Sequence, residues 1–208
     1  MIIDVHTHHY HTPNAVINVE LDEFDPAEDE YYSLGIHPWN ASNPNAQDQF
    51  NKISEIANSN DQVVAIGETG LDTLSEASLE DQMHLMEQHI VLSEECRKPL
   101  VIHSVRRSSE IIQLHKKYNP SQPWIIHGFR GNANIAIALI KERIYLSIGE
   151  KFNAKAVNII PKDLLLVETD ESNLSIDDIC SRIALYRVTT AEEIKKIAGE
   201  NASTCFNL

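Results

Sequence analysis

A chain of 208 residues with 42% hydrophobic content is long enough to bury one core, and a single domain over 1–208 is expected. Its 17 basic and 31 acidic residues leave a formal net charge of −14, which opposes a generic binder of long duplex, where affinity comes from neutralising many phosphates. The apolar runs are too short to span a bilayer and no basic-then-apolar leader opens the chain, so a cytoplasmic location without a membrane partner is expected; Cys96, Cys180 and Cys205, odd in number and widely spaced, read as reduced thiols.

The first apolar run, IIDVHTH (2–8), ends in a His-x-His pair. In an extended strand residues i and i+2 point to one side, so His6 and His8 present two imidazoles together. AVINVEL (15–21) runs into the acidic DEFDPAEDE, which leaves no room for a helix before the third strand, YYSLGIH (31–37). From there helical and apolar segments alternate: a helix over 46–59, the strand VVAIGE (63–68), a helix over 78–97, the strand PLVIHS (99–104) and a helix over 108–118. The strand WIIHGF (124–129), a helix over 132–143, the strand IYLSIG (144–149), a short helix over 152–160 and the strand LLLVETD (164–170) follow. A last helix over 189–206 has Thr190 as its N-cap and Glu193 in the capping-box position. This rhythm predicts an α/β fold, a distorted (β/α)8 TIM-type barrel with one helix missing after the second strand.

Polar residues recur at one place in these strands. His6, His8, His37, Glu68, His103, His127 and Asp170 all fall at the C-terminal ends of apolar runs, the ends that converge on the active-site face of such a barrel. Leaving His37 aside, four imidazoles and two carboxylates form a ligand set for zinc, magnesium or manganese, with no thiolate to favour a softer metal. Six ligands exceed the needs of one catalytic zinc and suit two divalent ions sharing a carboxylate.

DVHTH, GIHP (35–38), IGETGLD (66–72), PLVIHS, IIHGFRG (125–131), ETD (168–170) and N-A-x-x-x-F (201–206) occur in an order and spacing that resembles the TatD-type metal-dependent hydrolases, a branch of the amidohydrolase superfamily. The resemblance implies that His6, His8 and Asp170 hold one ion, that His103 and His127 hold the other, and that Glu68 bridges them. It further implies a phosphodiesterase or deoxyribonuclease in which water activated by two divalent ions attacks phosphorus, with Glu68 and Asp170 as catalytic carboxylates and Asp170 orienting the water and accepting its proton.

His37 reads either as a rim histidine held by packing or as a hydrogen-bond donor to substrate, Trp39 either as a partly buried core aromatic or as a stacking face, and Arg130, just after His127, as an anion contact. The family's H-x-R after the fifth strand is HSVR here, which leaves Arg106 or Arg107 to face phosphate. Glu171 and Ser172 replace the usual serine and proline after ETD and make the mouth more acidic, Gln82 keeps its spacing to His103, and His89 stands where the family more often has glutamine. The chain is also shorter than typical members. The expected substrate is a small phosphodiester or a short nucleic-acid end, without stable binding of long duplex. The alternatives are an amidohydrolase-type C–N or ester hydrolase of a small metabolite, and an inactive metal-binding interaction protein.

Overall fold

A computed structural model describes residues 1–208. Eight strands, β1 (Asp4–Thr7), β2 (Ala15–Val19), β3 (Tyr31–Leu34), β4 (Val63–Asp72), β5 (Leu100–Val105), β6 (Trp124–Ile126), β7 (Tyr145–Ile148) and β8 (Leu165–Val167), pair in chain order and close on β1. The strands are parallel, and the fold is the TIM-type barrel that the alternating pattern predicts. Helices α1 (Ala46–Ser59), α2 (Leu79–Cys96), α3 (Ser108–Tyr118), α4 (Ala133–Lys141) and α5 (Ala154–Ile159) fill the five connections from β3 to β8. After β2 there is only a 3-10 turn at Leu21–Glu23, and the β1–β2 connection lacks an α-helix as well. No helix is long and apolar enough to cross a membrane.

The chain packs as two compact units, Asn18–Trp124 and Met1–Ile17 with Ile125–Leu208. In the first, Leu34, Ile66, Leu100 and Ile102 are fully buried, and each such side chain contributes about 1.5–3 kcal/mol by leaving water. All ten residues of β4 are buried, and the strand runs four residues beyond the predicted end at Glu68, pairing Gly70 with His103 and Asp72 with Val105. Buried Gln82, on α2, fixes that extension: its Oε1 accepts from the Asp72 amide at 2.7 Å and its Nε2 donates to the Ala77 carbonyl at 2.9 Å.

In the second unit Val5, Leu146, Ile148 and Leu166 are buried from the strands, and two helices follow β8. The last, α7 (Ala191–Phe206), buries Ile194, Ile197, Ala198, Ala202 and Cys205 at the three- and four-residue spacing of one helical face. Thr190 caps it by accepting from the Glu193 amide, but the Glu193 carboxylate accepts from Lys162 Nζ at 2.9 Å instead of closing a capping box. Helix α6 (Ile176–Arg187) is an element the sequence pattern did not single out; it starts with a full capping box, Ser175 with Asp178. All three cysteines are free, and burial pushes the thiols of Cys180 and Cys205 up to about 12, which keeps them protonated and unreactive.

Candidate metal centre

In the unit Asn18–Trp124 the candidate site is built by β4 lying against β5. Gly70 has φ +150°, and a Cβ there would run into the carbonyl oxygen of His103, so only glycine allows this approach. Glu68 and Asp72, four residues apart on one face of the strand, flank the His103 ring. Nδ1 of His103 lies 2.8 Å from Glu68 Oε1 and Nε2 lies 3.0 Å from Asp72 Oδ2. Both carboxylates are buried, and the Glu68 amide donates to Asn18 Oδ1 at 2.9 Å. Burial works to raise the Asp72 pKa, but the hydrogen bonds from Leu74, Trp39 and His103 outweigh it and hold the carboxyl below its ordinary value.

His37 joins this cluster: its Nε2 is 3.4 Å from Glu68 Oε1 and its ring stands 4.5 Å from that of His103. His37, Glu68 and His103 bring one ligand-type atom each within 4.8 Å of one another. The His37 tautomer decides between ligand and donor. Nδ1 accepts the Trp39 amide at 3.2 Å, so in the neutral ring Nε2 carries the proton and donates. Trp39 itself is 61% exposed rather than part of the core, and its indole N–H donates to Asp72 Oδ2 at 2.8 Å. Of the two arginines after β5, Arg107 is tied to Glu110 at 2.7 Å, whereas Arg106, at φ +56°, is exposed and makes no ion pair.

The other unit supplies a second cluster. Asp170 is held in the left-handed region at φ +55° by two backbone bonds to the end of β1: its amide donates to the His6 carbonyl at 2.9 Å and its carbonyl accepts from the His8 amide at 3.1 Å. Its Oδ1 then lies 3.8 Å from His8 Nε2 and 4.0 Å from His6 Nε2. The His6 and His127 rings approach to 4.2 Å, and His6, His127 and Asp170 bring ligand-type atoms within 4.8 Å of one another. Nη2 of Arg130 stands 3.9 Å from Asp170 Oδ2.

Three buried groups support this cluster without having been singled out by the sequence. Glu168 lies behind His127, with Oε1 3.5 Å from His127 Nδ1 and accepting the Gly128 amide at 2.5 Å. Burial pushes its pKa up, but the hydrogen bond and charge of His127 more than offset this and the net shift is downward. Asp4 accepts from the Thr169 hydroxyl at 2.6 Å and the Thr169 amide at 3.0 Å, fastening β1 to the segment after β8. Burial raises its pKa to about 7 against those bonds.

Residues 13–207 match the family model described as TatD related DNase. The chain belongs to that family. The match begins after His6 and His8, so these two residues stand on the geometry around Asp170. The chain is 31% identical over 200 residues to the uncharacterized metal-dependent hydrolase YabD of Bacillus subtilis, covering 86% of this chain and 78% of that protein. Its fold is similar to the crystal structure of YJJV, a TatD homolog from Escherichia coli (TM-score 0.81, 20% identity, 100% and 98% of the two chains), and to a TatD family hydrolase from Entamoeba histolytica (TM-score 0.79, 17% identity, 99% and 97%).

The donor atoms fit the metal dependence of a TatD hydrolase. Imidazole nitrogens and carboxylate oxygens, with no thiolate among them, suit zinc, manganese or magnesium. Where His103 Nδ1 and Glu68 Oε1 meet at 2.8 Å, a ring lone pair and a carboxylate need a cation between them, either a proton or a metal. The carboxylates behind His103 and His127 are placed as orienting partners of metal-binding histidines are.

Proposed function

We propose that this TatD hydrolase is a phosphodiesterase acting on short or single-stranded nucleic-acid ends and small phosphodiesters, with His6, His8, Glu68, His103, His127 and Asp170 holding two divalent ions. The observation that carries the substrate class is Trp39: a flat, exposed indole whose N–H is pinned to Asp72 beside the His37–Glu68–His103 cluster. Such a face stacks on any base or aryl ring, at about 1–3 kcal/mol per base.

When bound, a divalent ion supplies Lewis acidity, making water nucleophilic near neutral pH and withdrawing charge from a phosphoryl oxygen. The protein groups divide the remaining work. Asp170, fixed by its backbone bonds to β1, orients the attacking water and accepts its proton. Nε2–H of His37 donates to a substrate oxygen. Arg130, 3.9 Å from Asp170, faces the charge that grows on the phosphoryl group. Exposed Arg106 offers a second phosphate contact.

A cavity of about 170 Å³, bordered by Gly128, Arg130, Glu150, Lys151, Asp170 and Glu171, limits what can enter beside Asp170. It is well below the roughly 300–1,000 Å³ of pockets that enclose drug-sized ligands, and its rim is acidic at Glu150 and Glu171 besides Asp170. One phosphate or sugar fits there, whereas a long duplex lays further phosphates against Glu150 and Glu171. The same acidic rim favours the second reading, hydrolysis of a C–N or ester bond in a small neutral or cationic metabolite.

The test is a screen of metal-stripped protein, reloaded with zinc, manganese or magnesium, against a single-stranded oligonucleotide, a matched long duplex, an aryl phosphodiester, a lactone and an amide. Cleavage of the oligonucleotide and the aryl ester is expected, with a weak salt dependence, since log K falls by only roughly 0.7–0.9 per phosphate neutralised. Preference for the long duplex, with a slope implying six or more phosphate contacts, overturns the proposal. Lactone or amide hydrolysis without phosphoester cleavage transfers the function to the second reading.

A further inference from the structure

We propose that Asp72 is a positioning residue that fixes the tautomer of His103 and ties that ring to the exposed indole of Trp39. This rests on reading His103 as a metal ligand. Asp72 is buried at the end of β4, and each of its oxygens meets a group that can only donate: the Leu74 amide at 2.7 Å from Oδ1 and the Trp39 indole N–H at 2.8 Å from Oδ2. A carboxylate so placed is an acceptor on both sides. His103 Nε2, 3.0 Å from the same Oδ2, must therefore carry a hydrogen.

The consequence falls on the other nitrogen. A neutral imidazole has one proton, so with Nε2 protonated the lone pair of Nδ1 points at Glu68 Oε1, 2.8 Å away, where a cation would be shared. The frame behind Asp72 leaves little play. Gln82 accepts the Asp72 amide at 2.7 Å and donates to the Asp72 carbonyl at 3.2 Å, from a buried position on α2.

Oδ2 is shared by one ring inside the site and one at the surface. A positive charge arriving at Nδ1 polarises the Nε2–H bond, draws Oδ2 toward His103 and weakens its bond to the indole. Trp39 thus senses the state of His103 through a single oxygen atom, and a ring stacked on Trp39 acts back on the same atom.

The experiment uses the full chain labelled with ¹⁵N-histidine. Long-range proton–nitrogen spectra of zinc-free protein read the tautomer of His103, whose signals are identified by their loss in His103→Asn. The proton is expected on Nε2; a proton on Nδ1 instead, with Nε2 bare, overturns the proposal whatever happens to metal. In Asp72→Asn the amide can accept on one side only, and its NH2 turned toward His103 moves the ring proton to Nδ1. Zinc affinity is then expected to fall about 10–100-fold, the usual effect of losing such a partner, and the zinc-induced change in tryptophan fluorescence to vanish. Trp39→Phe should also lose the fluorescence change while keeping zinc affinity within about threefold, because the bond from Asp72 to His103 stays. Wild-type zinc affinity in Asp72→Asn overturns the proposal. If Asp72→Asn does not fold, the wild-type tautomer and the Trp39→Phe titration still decide: a fluorescence change that survives without Trp39 breaks the link. Wild-type protein that takes up no zinc, manganese or magnesium refutes the metal reading separately, and the metal-free tautomer still judges Asp72.

Discussion

His89 makes stability depend on pH in a way that can be calculated and isolated. It is fully buried on α2, accepting the Ile36 amide on Nε2 at 3.1 Å and donating from Nδ1 to the Leu85 carbonyl at 2.8 Å. Both nitrogens are committed with the ring neutral. Burial pushes its pKa from 6.5 down to about 4, against the pull of the Leu85 bond. As pH falls below 6.5 the unfolded chain takes up the proton first, so stability is lost from about 6.5 downward and the loss levels off below about 4. At about 1.36 kcal/mol per pKa unit the full loss is about 3.4 kcal/mol, of which about 2 kcal/mol is reached between pH 7 and pH 5. In His89→Gln the amide can accept from Ile36 and donate to Leu85 without titrating. Urea unfolding of wild type and His89→Gln at pH 7.5, 6.5, 5.5 and 5.0, with chelator present, isolates the contribution of His89, because the other groups titrate in both proteins. The two stability curves should converge upward in pH and separate by about 2 kcal/mol at pH 5. Parallel curves across that range would refute the placement of a neutral, doubly bonded histidine in the core.

Two further outcomes follow from the strand ends. Asp170→Asn keeps the backbone bonds to His6 and His8 but removes the charge and the proton acceptor; aryl phosphodiester hydrolysis should fall by far more than tenfold, about 1.4 kcal/mol of transition-state stabilisation, at an unchanged melting temperature. Gly70→Ala, at φ +150° and against the His103 carbonyl, should lower stability by about 1–3 kcal/mol in urea unfolding and weaken zinc uptake measured by calorimetry.

The parts of the site that are legible in the sequence are those written in residue type and position along a strand. His6, His8, Glu68, His103, His127 and Asp170 each terminate an apolar run, and within each unit such ends lie together, Glu68 with His103 in one and His6, His8 and His127 with Asp170 in the other. What is hidden depends on register and on which partner wins a hydrogen bond. Asp72 is in plain view in IGETGLD, but its role exists only because β4 continues past Glu68 and pairs Asp72 with Val105, which no local pattern dictates. Glu193 occupies a capping-box position, yet Lys162, distant in sequence, holds its carboxylate. Helix α6 is obscured for another reason: it buries Ile179, Cys180, Ile183 and Ala184 but leaves Leu185 79% exposed, so apolar residues fall on both faces and the amphipathic contrast is blunted.

The same distinction explains how one tryptophan and one histidine, two residues apart, come to differ in what they offer. From the sequence, His37 and Trp39 are equally open to being packing residues or substrate contacts. Their roles separate once the short turn after β3 folds back, because the Trp39 amide then takes the lone pair of His37 Nδ1 and the Trp39 indole is committed to Asp72. The first bond leaves His37 with only a proton to give; the second anchors the edge of the indole and leaves its faces to solvent. A donor and a flat apolar surface are thereby set side by side, with ring centroids 5.1 Å apart, next to the carboxylate and imidazole of the metal cluster. On the proposed reading, that combination would suit a substrate carrying an anionic ester beside a planar ring. If the proposed phosphodiesterase reading holds, the protein's net charge of −14 would act on substrate length rather than on identity, because each added phosphate is repelled by an acidic surface.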